Sequence, residues 1–413
     1  MKFIFSALSI QRIILNNCFM RKLASFVSSI TLTLVFFTPS VQGASLPAPS
    51  AGKPCDKPQQ LIHVGKTSLI CTSVSTKSAV WKVSMAKSFL PSQAPTTFQD
   101  LDSHVYGIIY GAWLKATQQL KAATPTLGNV KLLVGPNTKE DDPSSATSLK
   151  LVSQLYSQLS QVKNLYVIKY SKADLNWAQQ QWEALKPLNY DPSYFQHQCL
   201  PPAGCVGGVA SITPSGDGVI ALGQGGLYDG QPTVQGLNRA SSGQVAAHEY
   251  THTIQMLNSL TSSSTTTYGN LPRWLLEGNA EWSATVARFN SSYEDYLTFR
   301  TMDITGQYSH PYGYSSQWLT TYLNPSPLSV SGQDNWSYWN SYPQWDLYAI
   351  GYLANEALVD VKGPDSILNL YKDVGSGQTF QQAFQQEFGM AWSDACPILA
   401  KAISDEIQKI VKS

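Results

Sequence analysis

The chain has 413 residues, enough for one large domain or two to three smaller ones. Its charges nearly balance, 28 Lys+Arg against 27 Asp+Glu, and with 43 % hydrophobic residues it has the composition of a globular protein, which argues against a disordered chain and offers no basic stripe for nucleic acid. Lys2, Arg12, Arg21 and Lys22 are the only charges before residue 44, so without that segment 24 basic residues (28 less 4) face 27 acids, a net charge of −3.

The N-terminus reads as an export signal. Met20-Arg21-Lys22 precedes "LASFVSSITLTLVFFTPSVQGA", an apolar run of about sixteen residues that ends in small residues suited to cleavage. Residues 1–43 are therefore assigned as a signal peptide cut before Ala44, with Met20 an alternative start. The run is short for a membrane span, and no later segment is long and apolar enough for one. The expected location is secreted or at the cell surface. Residues 44–53 form a linker, and 54–85 read as a small β-hairpin module around Gly65-Lys66. That module suits attachment, for example to a cell wall, or stability. In an exported chain the economical cysteine pairing is local: Cys55 with Cys71, and Cys199 with Cys205 across "CLPPAGC", leaving Cys396 over.

Residues 90–240 alternate helical and strand patterns. "FQDLDSHVYGIIYGAWLKATQQLKAAT" is a predicted helix, "NVKLLVGPN" a buried strand, "SATSLKLVSQLYSQLSQV" a helix, "NLYVIKYS" a strand and "ADLNWAQQQWEAL" a helix. Strand signals return in "GCVGGVASITPS" and "DGVIALGQGGLY". From 241 to 413 the pattern is helical with long loops, so the fold class is α+β, a mixed front half feeding a helical back half.

The back half opens with "SSGQVAAHEYTHTIQMLNS", where Ser241 and Gln244 make a capping-box start. His248 and His252 are one turn apart on one helical face and can reach one ion. Glu249 lies about 100° round from His248, too far for the natural third ligand but beside an open coordination position. In this HExxH arrangement Zn²⁺ lowers the pKa of a water and the glutamate takes its proton. HExxH also occurs by chance, and the metal reading needs a third ligand. "LPRWLLEGNAEWSATVARF" supplies one: Pro272 starts a helix, and Glu277 and Glu281 share a face among Trp274, Leu275, Leu276 and Trp282. Two carboxylates in such surroundings need a cation or donor. Glu277 is the expected third ligand of one Zn²⁺ per chain, and Glu281 the acceptor that fixes a ligating histidine from its far side. Gly278 and Ala280 are small enough to let the two helices approach.

With "HEYTH" followed by "WLLEGNAEW", the chain resembles the gluzincin zinc metallopeptidases, the group that contains thermolysin and the aminopeptidase-type enzymes. The second segment is close to the "WLxEGxAx" pattern of the aminopeptidase-type branch. The resemblance covers roughly residues 90–413 and implies a thermolysin-like fold, a mixed-sheet N-terminal lobe and a helical C-terminal lobe, here preceded by the disulfide-stapled module. In that branch a tyrosine three residues before a glycine stabilises the oxyanion, and "WDLYAIGYL" puts Tyr348 three before Gly351, with Tyr352 and His310 as rivals. Three departures matter. The 24 residues between His252 and Glu277 exceed the spacing of thermolysin or the aminopeptidases. The "GxMEN" segment that holds a free N-terminus is absent. The metzincin continuation also fails, with Gln255 and Asn258 at its glycine and third histidine.

The expectation is an exported zinc endopeptidase acting on peptides or proteins, without nucleic-acid partners. A substrate strand pairs beside "GVIALGQGG", and Glu249 acts as general base. The alternatives are a silent peptide-binding protein on the same scaffold and a zinc hydrolase of cell-wall peptide crosslinks. Phe380, Phe384 and Phe388 recur every fourth residue in the C-terminal stretch and read as core.

Overall fold

A computed structural model describes residues 49–55, 61–64, 67–75, 78–83, 94–139, 144–188, 195–196, 198–200, 204–225, 243–259, 271–306, 314–324 and 346–411. The chain divides into Met1–Ala48 and Pro49–Ser413, and every described residue belongs to the second unit. The assigned signal peptide therefore lies outside the described residues. Among the described residues, no helix is long and apolar enough to cross a membrane.

Strands β1 (Leu61–Val64), β2 (Thr67–Ser75) and β3 (Ser78–Val83) form an antiparallel sheet in that order. The expected hairpin is thus three-stranded, and its Gly65-Lys66 turn lies outside the described residues. A two-stranded ribbon alone is marginal in water. Here the third strand sets Trp81 opposite Cys71, which is disulfide-bonded to Cys55, and these residues with Leu69 make a small separate core.

The second sheet is built from β4 (Asn129–Val134), β5 (Asn164–Tyr170), β8 (Gly208–Ile212) and β9 (Gly218–Gly223). Between β5 and β8 run β6 (Cys199–Leu200) and β7 (Gly204–Cys205), a two-stranded ribbon closed by the Cys199–Cys205 disulfide. The strand order is β4-β5-β9-β8, with the first three parallel and β8 antiparallel to β9. Two expectations change here. β4 is an edge strand and not a buried one: Val130, Leu132 and Val134 are 39 %, 50 % and 39 % exposed, because an apolar run reads alike whether one neighbour covers it or two. "GVIALG" is β9, hydrogen-bonded on both sides, so the strand that ends the sheet nearest the helical half is β8.

Helices α1 (Val105–Ala122), α2 (Ser145–Leu155) and α3 (Leu175–Leu185) accompany these strands. The helical half contains α4 (Gln244–Ser259), α5 (Arg273–Arg288), α6 (Tyr293–Gly306), α7 (Ser316–Leu323), α8 (Asp346–Lys362), α9 (Asp365–Gly375), α10 (Phe380–Phe388) and α11 (Trp392–Val411). α10 starts at a Thr379/Gln382 capping box and stops at left-handed Gly389, and Phe380 and Phe384 are buried with Phe388 stacked on Phe384. Cys396 is free and buried in α11.

α4 packs between β8 and α5, and α5 packs on α8. Gly278 does not serve the contact expected of it. A Cβ there would lie 2.0 Å from the carbonyl carbon of Gly351 in α8, and one at Gly351 would lie 2.2 Å from the Trp274 oxygen. The small residues bring α5 against α8 backbone to backbone, while α4 and α5 meet through side chains. Farther from α4, buried Arg300 of α6 pairs with Glu356 of α8 and Glu406 of α11, tying three helices. Removing one member would strand buried charge.

Candidate metal centre

α4 starts at Gly243, whose φ of +78° favours glycine and whose carbonyl accepts the Ala247 amide at 3.0 Å. Of the expected Ser241–Gln244 capping box, only Gln244 is among the described residues. The Gln244 amide turns inward to donate to Glu281 Oε1 and Thr285 Oγ1, each at 3.0 Å.

One turn along, His248 and His252 face each other with their Nε2 atoms 3.0 Å apart. Glu277 Oε2 of α5 lies 3.5 Å from the first and 3.4 Å from the second. Ligands held tetrahedrally at 2.0–2.2 Å stand about 3.3–3.6 Å apart, since a tetrahedral edge is about 1.6 bond lengths. Both glutamate distances fall in that range, and the histidine pair is slightly closer. These three residues could hold a metal ion. His248 and His252 are buried, and the Glu277 side chain is 12 % exposed.

Hydrogen bonds behind the site strengthen the fit. His248 Nδ1 lies 2.9 Å from Glu281 Oε2, and His252 Nδ1 lies 2.7 Å from Gln255 Oε1. Both partners are acceptors, so each Nδ1 carries a proton and each ring turns its Nε2 inward. Two ring nitrogens and a carboxylate oxygen then converge, an arrangement that repels itself unless a proton or a metal cation stands among them.

The titration behaviour has the same cause. Burial alone would lower the His248 pKa, but Glu277 and Glu281 outweigh it and push it up to about 10. Burial would raise Glu277, but the neighbouring His252 and His248 hold it well below the ordinary carboxylate range. Glu249 goes the other way: burial lifts it above that range and the two histidines only partly offset this. A carboxyl raised in this way is better matched to proton transfer near neutral pH.

Glu249 is 7 % exposed and presses on the sheet. A Cβ on Gly208 of β8 would sit 2.6 Å from Glu249 Cγ and 2.9 Å from its Oε1. The Gly207 carbonyl accepts from the Gly223 amide, and antiparallel alternation then turns the amide and carbonyl of Gly208 and Ala210 away from β9. Among the described residues, no strand pairs with that side of β8.

Tyr348 of α8 is half-buried, its ring centroid 5.8 Å from that of His248 with the planes 34° apart. The Gly278–Gly351 contact one turn away brings it there. Tyr352 is not at the site: its hydroxyl donates to Tyr296 at 3.2 Å in the buried Arg300 cluster. His310 lies outside the described residues. His248, Glu249, His252, Glu277, Glu281 and Tyr348 therefore come together. Sequence reasoning missed Gln244, Gln255 and Gly208. The two glutamines share the α4 face of the histidines, four before His248 and three after His252, and that spacing was a usable signal. Gly208 is remote in sequence and carried none.

No protein-family model matches the chain, and neither a curated protein nor a solved structure matches it.

Proposed function

We propose that this protein is an exported zinc-dependent endopeptidase of the gluzincin kind on a thermolysin-like scaffold, cutting peptide bonds in peptides or proteins. The observation that carries the reading is the convergence of His248 Nε2, His252 Nε2 and Glu277 Oε2 beside a buried carboxylate that lies against a sheet edge on which no described strand pairs. Two nitrogens and one oxygen suit zinc among the available divalent ions. The two disulfides are compatible with export.

His248, His252 and Glu277 would hold the ion, which when bound supplies a Lewis acid that polarises a carbonyl and eases deprotonation of water. Glu249 takes the proton of the attacking water and returns it to the leaving amine. The Tyr348 hydroxyl donates to the carbonyl oxygen as negative charge develops there. The substrate backbone pairs with the outward amides and carbonyls of Gly208 and Ala210 in β8, which replaces β9 as the strand for substrate addition.

Metal content and hydrolysis of a peptide library test this together. The wild-type chain is expected to carry about one zinc, as a three-ligand catalytic site does, and Glu277→Ala to lose most of it. Glu249→Gln is expected to keep the metal and lose most turnover. Equal zinc in the Glu277 variant would remove the third ligand, and near-normal hydrolysis by Glu249→Gln would remove the mechanism.

A further inference from the structure

We propose that Gln255 is a positioning residue for the metal: it fixes the tautomer of His252 and is itself fixed by a buried hydrogen-bond chain through Asn279, Tyr156 and Ser283. The proposal rests on the metal reading above and concerns how the second histidine is held.

The direction of every bond in the chain can be worked out from its far end. Ser283 Oγ donates to the Asn279 carbonyl at 2.6 Å. Its proton is thereby used, so in the contact between Tyr156 and Ser283 the tyrosine hydroxyl donates. Tyr156 in turn accepts from Asn279 Nδ2 at 3.0 Å. That leaves Asn279 Oδ1 facing Gln255, whose Nε2 donates to it at 3.0 Å and to the Leu276 carbonyl at 3.0 Å. A carbonyl can only accept, so the Gln255 amide cannot be flipped without setting oxygen against oxygen. Gln255 Oε1 is then the end that meets His252 Nδ1 at 2.7 Å, and the imidazole must donate. The proton is held on Nδ1 and Nε2 is left as the donor atom toward the ion.

All the side chains of this chain are buried, Gln255, Asn279, Ser283 and Tyr156 each at 0 % exposure. Water is therefore a poor substitute for a lost member. The two histidines are treated differently: His248 is held by the charged Glu281 and His252 by a neutral amide. A neutral acceptor orients the ring without adding a second full negative charge behind a site that already contains Glu249, Glu277 and Glu281. The chain also joins α2, α4 and α5, so the ring direction is set by how three helices pack.

The test uses Zn²⁺ alone, without substrate. Affinity is measured by competition with a chromophoric chelator for the wild type, Gln255→Ala and Tyr156→Phe. Gln255→Ala is expected to weaken zinc binding roughly 10–100-fold, as loss of such a supporting partner does, and Tyr156→Phe to weaken it less. Because Gln255→Ala also strands the buried Asn279 Oδ1 and can unfold the chain, the unaltered zinc-loaded protein is labelled with ¹⁵N-histidine and examined by NMR. The expected His252 spectrum has the proton on Nδ1 and a coordinated Nε2. A His252 proton on Nε2, or a folded Gln255→Ala variant that binds zinc as tightly as the wild type, would overturn the proposal. A wild-type chain that takes up no zinc would overturn the metal reading and this proposal with it.

Discussion

At Gly208 the missing side chain is what Glu249 occupies. An alanine methyl would stand 2.6 Å from Glu249 Cγ, and the carboxylate, buried at 7 % exposure, has little room to retreat. Gly208→Ala is therefore expected to keep full metal content while lowering turnover by about tenfold or more, because small misplacements of a catalytic group are costly. Metal analysis beside kcat on one peptide separates the two effects. Unchanged kcat would mean that the glutamate yields freely or is not the base. The histidine pair and Glu249 were legible at this scale because four-residue helical spacing is local. The spacing of Gln244 and Gln255 put them on the histidine face, but what each one holds depends on its partner across the interface.

At the scale of elements, the site depends on how closely α8 approaches α5. Gly351 faces the Trp274 oxygen and Gly278 faces the Gly351 carbonyl carbon, so backbone lies on both sides and no rotamer change can make room. Gly351→Ala is expected to destabilise by about 3 kcal/mol, the upper end of ordinary overpacking. It should also shift Tyr348 away from His248. Urea unfolding gives the first quantity, and turnover per folded molecule reads the second. An unchanged unfolding midpoint would contradict this helix contact. The tyrosine-to-glycine spacing thus has a mechanical reason: the glycine makes the contact and the tyrosine, three residues before it, reaches the ligand. β4 taught the opposite lesson. Its apolar run was legible as a strand, but its edge position depends on the neighbours that pairing happens to assign.

Across the whole molecule, one buried charge should set much of the pH dependence of stability. Asp360 of α8 is fully buried against Gly111 and Lys115 of α1, and neither of its carboxylate oxygens has a hydrogen-bond partner among the described residues. Burial pushes its pKa up from 3.8 to about 8, with Lys115 pulling it back in part and Glu356 and Asp100 raising it further. Asp346 is raised to about 6 by burial as well. The unfolded chain ionises Asp360 near pH 3.8 and the folded one only near 8. This contribution is therefore fully favourable below pH 3.8 and is lost as pH rises through about 8. Asp360→Asn should flatten the fall of Tm over that window and raise stability at pH 8 by about 3 kcal/mol, the scale of an uncompensated buried charge. A parallel Tm–pH curve for the variant would show that Asp360 ionises normally.

The sequence by itself determined whatever rests on neighbours a few residues apart. That includes the helical spacing of His248 and His252, the shared face of Glu277 and Glu281, the two short disulfide loops, and the order of a mixed front half and a helical back half. Tertiary structure alone decided which atoms converge. It set Glu277 Oε2 within 3.5 Å of both imidazoles, laid Gly208 against Glu249, separated Tyr348 from Tyr352, and put β8 rather than β9 at the edge of the sheet. The physical reason is range. Backbone geometry ties residues within a turn or two of helix, whereas contact between segments tens of residues apart depends on how whole helices and strands pack.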